Sequence, residues 1–346
     1  MKLKSKMNSR FFKAFALLAL SIVALSSCKD DDDGGGDSGI DVDAITRSQL
    51  VELEEYLASN SITYDSVAKG GYAYYRELVD PKPEAQLLGK AEAVKISFTI
   101  TDLDGTEIGS SDDDGIMPVI INTVNASFAP LALYYAMQDM RLGETVRLYV
   151  PGFYGYRNIA IEEKGVEVYE PLIFTLTIEE LYTANFQINA EIEEQIQAYV
   201  SQQSEAYQAI ASDTTFIQKA VLTAGSGTTP SQNDTAYVKY TGYYLNGQVF
   251  DSNTNTDNQL NVLLADNNFN VIPGFRDAVL SMQVGEKSKF VIPAVRAYGQ
   301  KGSTATVSLG TPPQYSLPLN LNKELGKGIP PNTPIIFEIT LEELNK

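Results

Sequence analysis

The sequence has no histidine, no tryptophan and one cysteine in 346 residues. Without histidine, imidazole general bases, histidine-assisted nucleophiles and histidine metal sites are excluded. A single cysteine, Cys28, excludes a disulfide framework within the chain. Positive charge is scarce as well: 26 Lys and Arg stand against 44 Asp and Glu, a formal charge of −18. No basic stripe is available to neutralise phosphates, so no nucleic-acid partner is expected. The main apolar run, Ala14–Leu25, is short of the roughly 20 residues that carry a helix across a bilayer.

That run fits an export signal instead. Lys2, Lys4, Lys6, Arg10 and Lys13 precede it, and Leu25-Ser-Ser-Cys28 closes it. A basic leader, an apolar core and small residues before the cleavage point make the three-part pattern of a secretory signal. Leu25–Cys28 resembles a bacterial lipobox, in which the cysteine is lipidated and becomes the first mature residue. Residues 1–27 are therefore read as a lipoprotein signal peptide and Cys28 as a lipid anchor. This places the chain in the bacterial envelope, at the outer membrane, facing the periplasm or the cell surface. Loss of the signal removes five basic and no acidic residues and moves the formal charge from −18 to −23. Residues 28–42, with Lys29-Asp-Asp-Asp-Asp-Gly-Gly-Gly36, read as a solvated acidic tether. Its acidic run also resembles the surface-export signal of some Gram-negative lipoproteins, a plain spacer being the alternative.

The length suits about two domains, and the text repeats. Ile96-Ser-Phe-Thr and Leu103-Asp-Gly105 lie 142 residues before Val238-Lys-Tyr-Thr and Leu245-Asn-Gly247. The same offset sets Met140-Arg-Leu-Gly-Glu144 against Met282-Gln-Val-Gly-Glu286, and Tyr156 against Tyr298. Pro171–Leu181 matches Pro334–Leu344 at an offset of 163, so the second copy is 21 residues longer between Gly299 and Pro334. Two copies of one unit is the economical reading. A helix capped by Asp43, with Ile45, Leu50, Leu53 and Leu57 on one face, is expected before the first copy. A second helix, capped by Asn189, with Ile188, Ile192, Ile196, Val200, Tyr207 and Ile210 near one face, is expected before the second. It reads as a linker or docking helix. A turn at Gly70-Gly71 and a strand over Tyr72–Val79 are also expected.

The second copy opens on a strand, Tyr237-Val-Lys-Tyr-Thr-Gly-Tyr-Tyr, a turn at Asn246-Gly247 with positive φ at both residues, and a return strand through Phe250-Asp251. Downstream come Val271-Ile-Pro-Gly-Phe275, Ala297-Tyr-Gly299 and Gly328-Ile-Pro-Pro331, followed by Phe337. In type and order these motifs resemble the FK506-binding-protein (FKBP) peptidyl-prolyl isomerases. The resemblance is strong from Asp213 to Lys346 and weak upstream. It implies an α+β fold of two FKBP-like units, each an antiparallel sheet wrapped around a short helix, here Phe275–Ser281, with an amphipathic helix in front. The divisions are a degenerate FKBP-like domain at 43–182, a helical linker at 183–212 and an isomerase domain at 213–346.

The resemblance also implies a proline pocket lined by Tyr240, Phe250, Val271, Ile272, Phe275, Tyr298, Ile329 and Phe337. Tyr298 would offer its hydroxyl, and Ile272 its backbone N–H, to a substrate carbonyl. Asp251 would sit at the edge and orient Tyr240 or a polar substrate group. Rotation about an X–Pro bond crosses a barrier of about 18–20 kcal/mol. A dry aromatic pocket with a few placed donors can lower it without nucleophile, metal or cofactor. Proline-containing polypeptides are the expected partners, and the oligomeric state is left open. The chain departs from the family in having Phe275 where the pocket floor is often Trp, Asn332 where eukaryotic members often have His, and an insertion at Gln300–Lys327. The first copy departs further. Phe98, Ile108, Gly109 and Leu133 stand for Tyr240, Phe250, Asp251 and Phe275, and Ala129-Pro-Leu-Ala132 replaces the Val-Ile-x-Gly turn. It reads as folded but inactive. The rival readings are a pair of such folds that only bind protein or peptide, and a solute- or glycan-binding lipoprotein.

The lipobox-like stretch generates a test. Cys28→Ser is expected to leave the chain unlipidated and to release it from membranes on fractionation; a mutant retained as fully as the parent contradicts the anchor.

Overall fold

The computed structural model describes residues 41–345, apart from 70–71, 90–92, 112–118, 123–130, 157–159, 161–164, 211–215, 255–258, 266–269, 304–328 and 330. The signal peptide, Cys28 and the tether up to residue 40 lie outside the described residues. So do the Gly70-Gly71 turn, Ala129-Pro130, Gly328, Pro330 and nearly all of the expected insertion.

Two α+β units are built alike. The first comprises helix α1 (Val42–Ser59), strands β1 (Asp65–Lys69), β2 (Tyr72–Asp80), β3 (Ala93–Thr101), β4 (Glu107–Ser110) and β5 (Val119–Asn122), helix α2 (Leu131–Met137), and strands β6 (Thr145–Val150) and β7 (Leu172–Tyr182). The second comprises helix α3 (Asn185–Ser201), strands β8 (Gln208–Ala209), β9 (Gln218–Thr223), β10 (Thr235–Tyr244), β11 (Val249–Asn253) and β12 (Leu260–Leu263), helix α4 (Pro273–Leu280), and strands β13 (Lys287–Ile292) and β14 (Ile335–Asn345). Each unit holds one seven-stranded antiparallel sheet. The order is β1-β2-β6-β7-β3-β4 with β5 on β3, and β8-β9-β13-β14-β10-β11 with β12 on β10. The long strands alternate buried and half-buried positions, the pattern of a sheet with one packed face.

The repeat holds residue by residue. Thr99 pairs with Ser110 and Ile100 with Gly109, while 142 residues on Thr241 pairs with Ser252 and Gly242 with Asp251. Both central strands carry a bulge at the same place, Lys95/Ile96 and Tyr237/Val238. The inner face of each sheet closes over its short helix. Ala132, Leu133, Ala136 and Met137 fill the first core, and Phe275, Ala278 and Val279 the second. The outer faces are covered by the long helices. Leu53 and Leu57 of α1 are buried against Tyr149 and Ile173. Ile188, Ile192 and Ile196 of α3 are buried against Val291 and Ile336, the same two positions of the second copy. Among the described residues no helix is long and apolar enough to cross a membrane.

Several local expectations are corrected. Asp41, not Asp43, caps α1, accepting the Ala44 N–H at 2.9 Å. α3 starts four residues before Asn189; the Gln187 carboxamide oxygen accepts the backbone N–H of Thr183 at 2.9 Å and of Ala184 at 3.2 Å. Glutamine at the third helical position takes up N–H groups that have no intrahelical acceptor. Tyr207 and Ile210 lie beyond the end of α3, and β8 falls inside the stretch read as linker, as part of the second sheet. In the hairpin turn Gly247 has φ 86° and Asn246 is not in the left-handed region. The loop is Leu245–Gly247, closed by Gly247 N–H to Tyr244 O at 2.9 Å and Tyr244 N–H to Gln248 O at 2.9 Å, a three-residue hairpin with one glycine in the αL position. The core helix starts at Pro273 and ends at Leu280 rather than spanning Phe275–Ser281.

The shared Met-x-x-Gly-Glu motif joins the short helix to the next strand. Gly143 N–H donates to Ile178 O at 2.8 Å and Gly285 N–H to Leu341 O at 2.8 Å. In the second unit the Glu286 carboxylate is buried. It accepts from Gln283 N–H at 3.1 Å and the Ser288 hydroxyl at 2.6 Å, and pairs with Lys219 Nζ at 2.7 Å. Breaking a buried pair from one side costs about 3–5 kcal/mol. Lys219 keeps a second acceptor, the Ser281 carbonyl at 2.6 Å, which favours the low end. Glu286→Ala is expected to lower the unfolding free energy by about 3 kcal/mol, read from the urea midpoint; an unmoved midpoint means that the buried pair with Lys219 does not contribute to stability.

Candidate active site

The residues expected at a pocket are set out by strands β10, β11 and β14, helix α4 and the turns that follow β13. β10 supplies Tyr240, and β11 supplies Phe250 and Asp251. Phe337 stands on β14 directly across from Gly242. α4 brings Phe275 up from the core, with Val271 and Ile272 leading into it. A 3-10 turn at Ala294–Arg296 then leads to Tyr298, and a second turn follows at Gly299–Lys301.

Phe337 is the centre of the ring cluster. Its centroid lies 4.9 Å from Phe275, 5.5 Å from Phe250 and 5.7 Å from Tyr240, with interplanar angles of 87°, 82° and 68°. Tyr240 also meets Phe275 edge-on at 5.6 Å. Edge-to-face contacts of this kind add about 0.5–1.5 kcal/mol each beyond area burial, so the four rings brace one another. Phe250, Phe275, Ile329 and Phe337 are buried, whereas Tyr240, Val271, Ile272 and Tyr298 are half-buried against them. Asp251 is exposed at the edge, and its Oδ2 accepts the Tyr240 hydroxyl at 2.7 Å. Of its two expected roles, the structure shows the orienting of Tyr240.

The site's phenols are donors, not acids. Burial, and then the bond to Asp251, raises the pKa of Tyr240 above the ordinary phenol value. Burial, and then the Asp251 charge, raises that of Tyr298. Both stay protonated through the physiological range. Among the described residues nothing bonds the Tyr298 hydroxyl or the Ile272 N–H, whereas the Ile272 carbonyl is taken by Phe275 N–H at 3.1 Å and Arg276 N–H at 3.3 Å. The segment beyond Tyr298 is tied back. Ser303 and Ile329 exchange two backbone bonds, 2.8 and 3.0 Å, and Asn332 N–H donates to Gly299 O at 2.8 Å. Asn332, noted as a family departure, is buried and has φ 57°. Arg296 pairs with Asp277 and fastens the first turn to α4.

Sequence reasoning missed Gly242. A Cβ there would lie 2.6 Å from Phe250 Cζ and 2.9 Å from Phe337 Cε1, so the missing side chain is the space the rings occupy. The signal was available: a glycine inside an aromatic strand marks a close approach. Gly274 is similar, since a Cβ there would lie 2.4 Å from Ile292 Cγ2. The first copy has Ile100 where the second has Gly242, and Ile100 faces Phe174 and is buried. Tyr156, the counterpart of Tyr298, is buried with its hydroxyl unbonded among the described residues, and burial raises its pKa.

The fold and site together define a class: an antiparallel sheet wrapped on a short helix, with an aromatic cluster at the helix N-terminus and neutral donors at its rim. The comparisons with known proteins name the family. The description "FKBP-type peptidyl-prolyl cis-trans isomerase" matches residues 85–179 and again 226–342, more than half of the chain, and the chain belongs to that family. It is 30% identical over 128 residues to the FKBP-type 22 kDa peptidyl-prolyl cis-trans isomerase of Escherichia coli, covering 37% of this chain and 50% of that protein. It is 31% identical over 127 residues to FK506-binding protein 1 of Candida glabrata, covering 36% and 89%. Against Outer membrane protein MIP of Legionella longbeachae it is 30% identical over 130 residues, covering 38% and 45%. The chain thus spans half or less of the length of the two bacterial relatives.

The ring cluster generates a stability test. Gly242→Ala is expected to push Phe250 and Phe337 apart and lower the unfolding free energy by about 1–3 kcal/mol, the usual cost of overpacking. Chemical denaturation reads it, and a parent-like stability means the rings do not depend on that gap.

Proposed function

We propose that this chain is a peptidyl-prolyl cis–trans isomerase whose second unit is the active one, acting on proline-containing polypeptides in the bacterial envelope. The observation that carries the reading is the ring cluster of Tyr240, Phe275 and Phe337, with the unbonded Tyr298 hydroxyl packed beside it. Twisting an X–Pro amide out of plane weakens its resonance and its hydration together, so an apolar wall favours the twisted form over the planar one. A rim donor holds the carbonyl while it turns. Each ~1.36 kcal/mol taken off the barrier is about tenfold in rate, so a few such contacts suffice. Tyr298 and Ile272 supply the donors, and Asp251 holds Tyr240 in line.

The first unit keeps Phe174 and Tyr156 at the Phe337 and Tyr298 positions but lacks the rest. Ile100 fills the gap that Gly242 leaves, Gly109 stands at the Asp251 position, Leu133 at the Phe275 position, and the Tyr156 hydroxyl is sealed in the core. Placement in the envelope, through a lipid at Cys28, rests on the leader and lipobox-like stretch, and one relative's name is that of an outer membrane protein.

A protease-coupled or NMR-exchange assay on X–Pro peptides, with the chain lacking residues 1–28, tests this. Catalysis is expected, best with an apolar residue before the proline. Losing one neutral hydrogen bond costs about 0.5–1.5 kcal/mol, so Tyr298→Phe should lower kcat/KM about two- to tenfold. Tyr156→Phe should leave it unchanged. An uncatalysed rate with every peptide would make this a binding protein, and equal losses from the two tyrosine changes would make the first unit active.

A further inference from the structure

The segment bearing Tyr298 is held from two sides. From within its own unit it is fixed by Ser303–Ile329, Asn332–Gly299 and Arg296–Asp277. From outside, Gln300 Nε2 donates to Asn185 Oδ1 at 2.6 Å, so the first residue of α3 is bonded to the residue two beyond Tyr298. One turn along α3, Ile188 belongs to a buried cluster with Ala294, the residue that opens the 3-10 turn before Tyr298. β5 of the first unit lies against the Gly299–Lys301 turn.

α3 is itself fastened to the first unit. Ala93 of β3 and Tyr182 of β7 are buried in that same cluster. Lys95 Nζ bonds Glu191 of α3 at 2.9 Å and Glu180 at 3.0 Å, and Lys95 and Glu191 are 16% and 14% exposed. An ion pair that is mostly shielded is screened less than a surface one. A continuous path therefore runs from the first sheet through Glu191, along α3, to Asn185, Gln300 and the turn that places Tyr298.

The structure assigns the catalytically incomplete first unit a positioning role in the second unit's site: through α3 and β5 it holds the 294–301 segment, with Asn185 and Gln300 as positioning residues. This rests on the isomerase reading. A donor helps only if it is held close to its productive place, within about 0.5 Å. A turn tied only to its own sheet would have its outward side free. The first unit removes that freedom, which gives a reason for a copy without a pocket to stay joined to one with a pocket.

In the full chain, Asn185→Ala and Gln300→Ala, singly and together, test this. Each single change is expected to lower kcat/KM about two- to tenfold, the scale of one hydrogen bond, with an unchanged melting midpoint. The double variant should be no worse than Gln300→Ala alone, because that change already removes the contact to Asn185. Asn185→Asp keeps the accepting oxygen and should behave as the parent. Amide hydrogen exchange across residues 294–301 should be faster in the three alanine variants. Additive losses overturn the proposal, as do parent-like exchange and parent-like kcat/KM. If the parent chain does not catalyse, the isomerase reading fails on its own, and the exchange rates alone then decide whether the first unit holds the segment.

Discussion

Across the ladder that joins β10 to β14, a glycine faces a phenylalanine, and the site depends on that pair. With no Cβ at Gly242, Phe250 and Phe337 can close over that strand, and Phe337 also meets Phe275 and Tyr240. The same rung in the first unit pairs Ile100 with Phe174, and there the space is filled. A buried isoleucine contributes about 1.5–3 kcal/mol. The second unit forgoes that stabilisation in exchange for an aromatic wall. This rung is one of the positions at which a core and an aromatic cluster part on scaffolds with matching strand pairing.

The duplicated unit is larger than the family match. The matched stretches begin at residues 85 and 226, after β2 and β9 have ended. Each unit adds ahead of that core a long helix and two strands, and each helix covers the outer face of its own sheet at equivalent positions, Tyr149 with Ile173 and Val291 with Ile336. The sheets are thereby apolar on both sides at their centre. α3 consequently has two tasks that α1 does not combine: it completes the second sheet and joins that sheet to the first.

Much of this was legible in the sequence because it rests on period and order. Aromatic and β-branched residues along Tyr237–Tyr244, the repeated Met-x-x-Gly-Glu motif and the offsets of 142 and 163 locate the strands and the copies. Of the residues expected at the pocket, Tyr240, Phe250, Phe275 and Phe337 pack ring on ring, the other apolar ones and Tyr298 belong to the same core cluster, and Asp251 is hydrogen-bonded to Tyr240. What was not legible depends on choices between near equals. Asp41 and Asp43 are both good caps, and it is Asp41 that has the extended backbone and accepts the Ala44 N–H. Gln187 caps α3 from inside the helix, a role that its type does not announce. β8 is two residues long and gains its identity only from pairing with β9. Gly242 was read as part of a strand, because what it makes room for lies 95 positions later.

The backbone bridge between Ser303 and Ile329 bears on how such a chain can change over time. Whatever lies between those residues starts and finishes at one point, already paid for by two hydrogen bonds. Closing a loop becomes costlier only with the logarithm of its length, about 0.6 kcal/mol per doubling. Insertions and deletions between residues 303 and 329 are therefore nearly neutral for folding. The fold has a place where the chain can change length without reopening the question of stability.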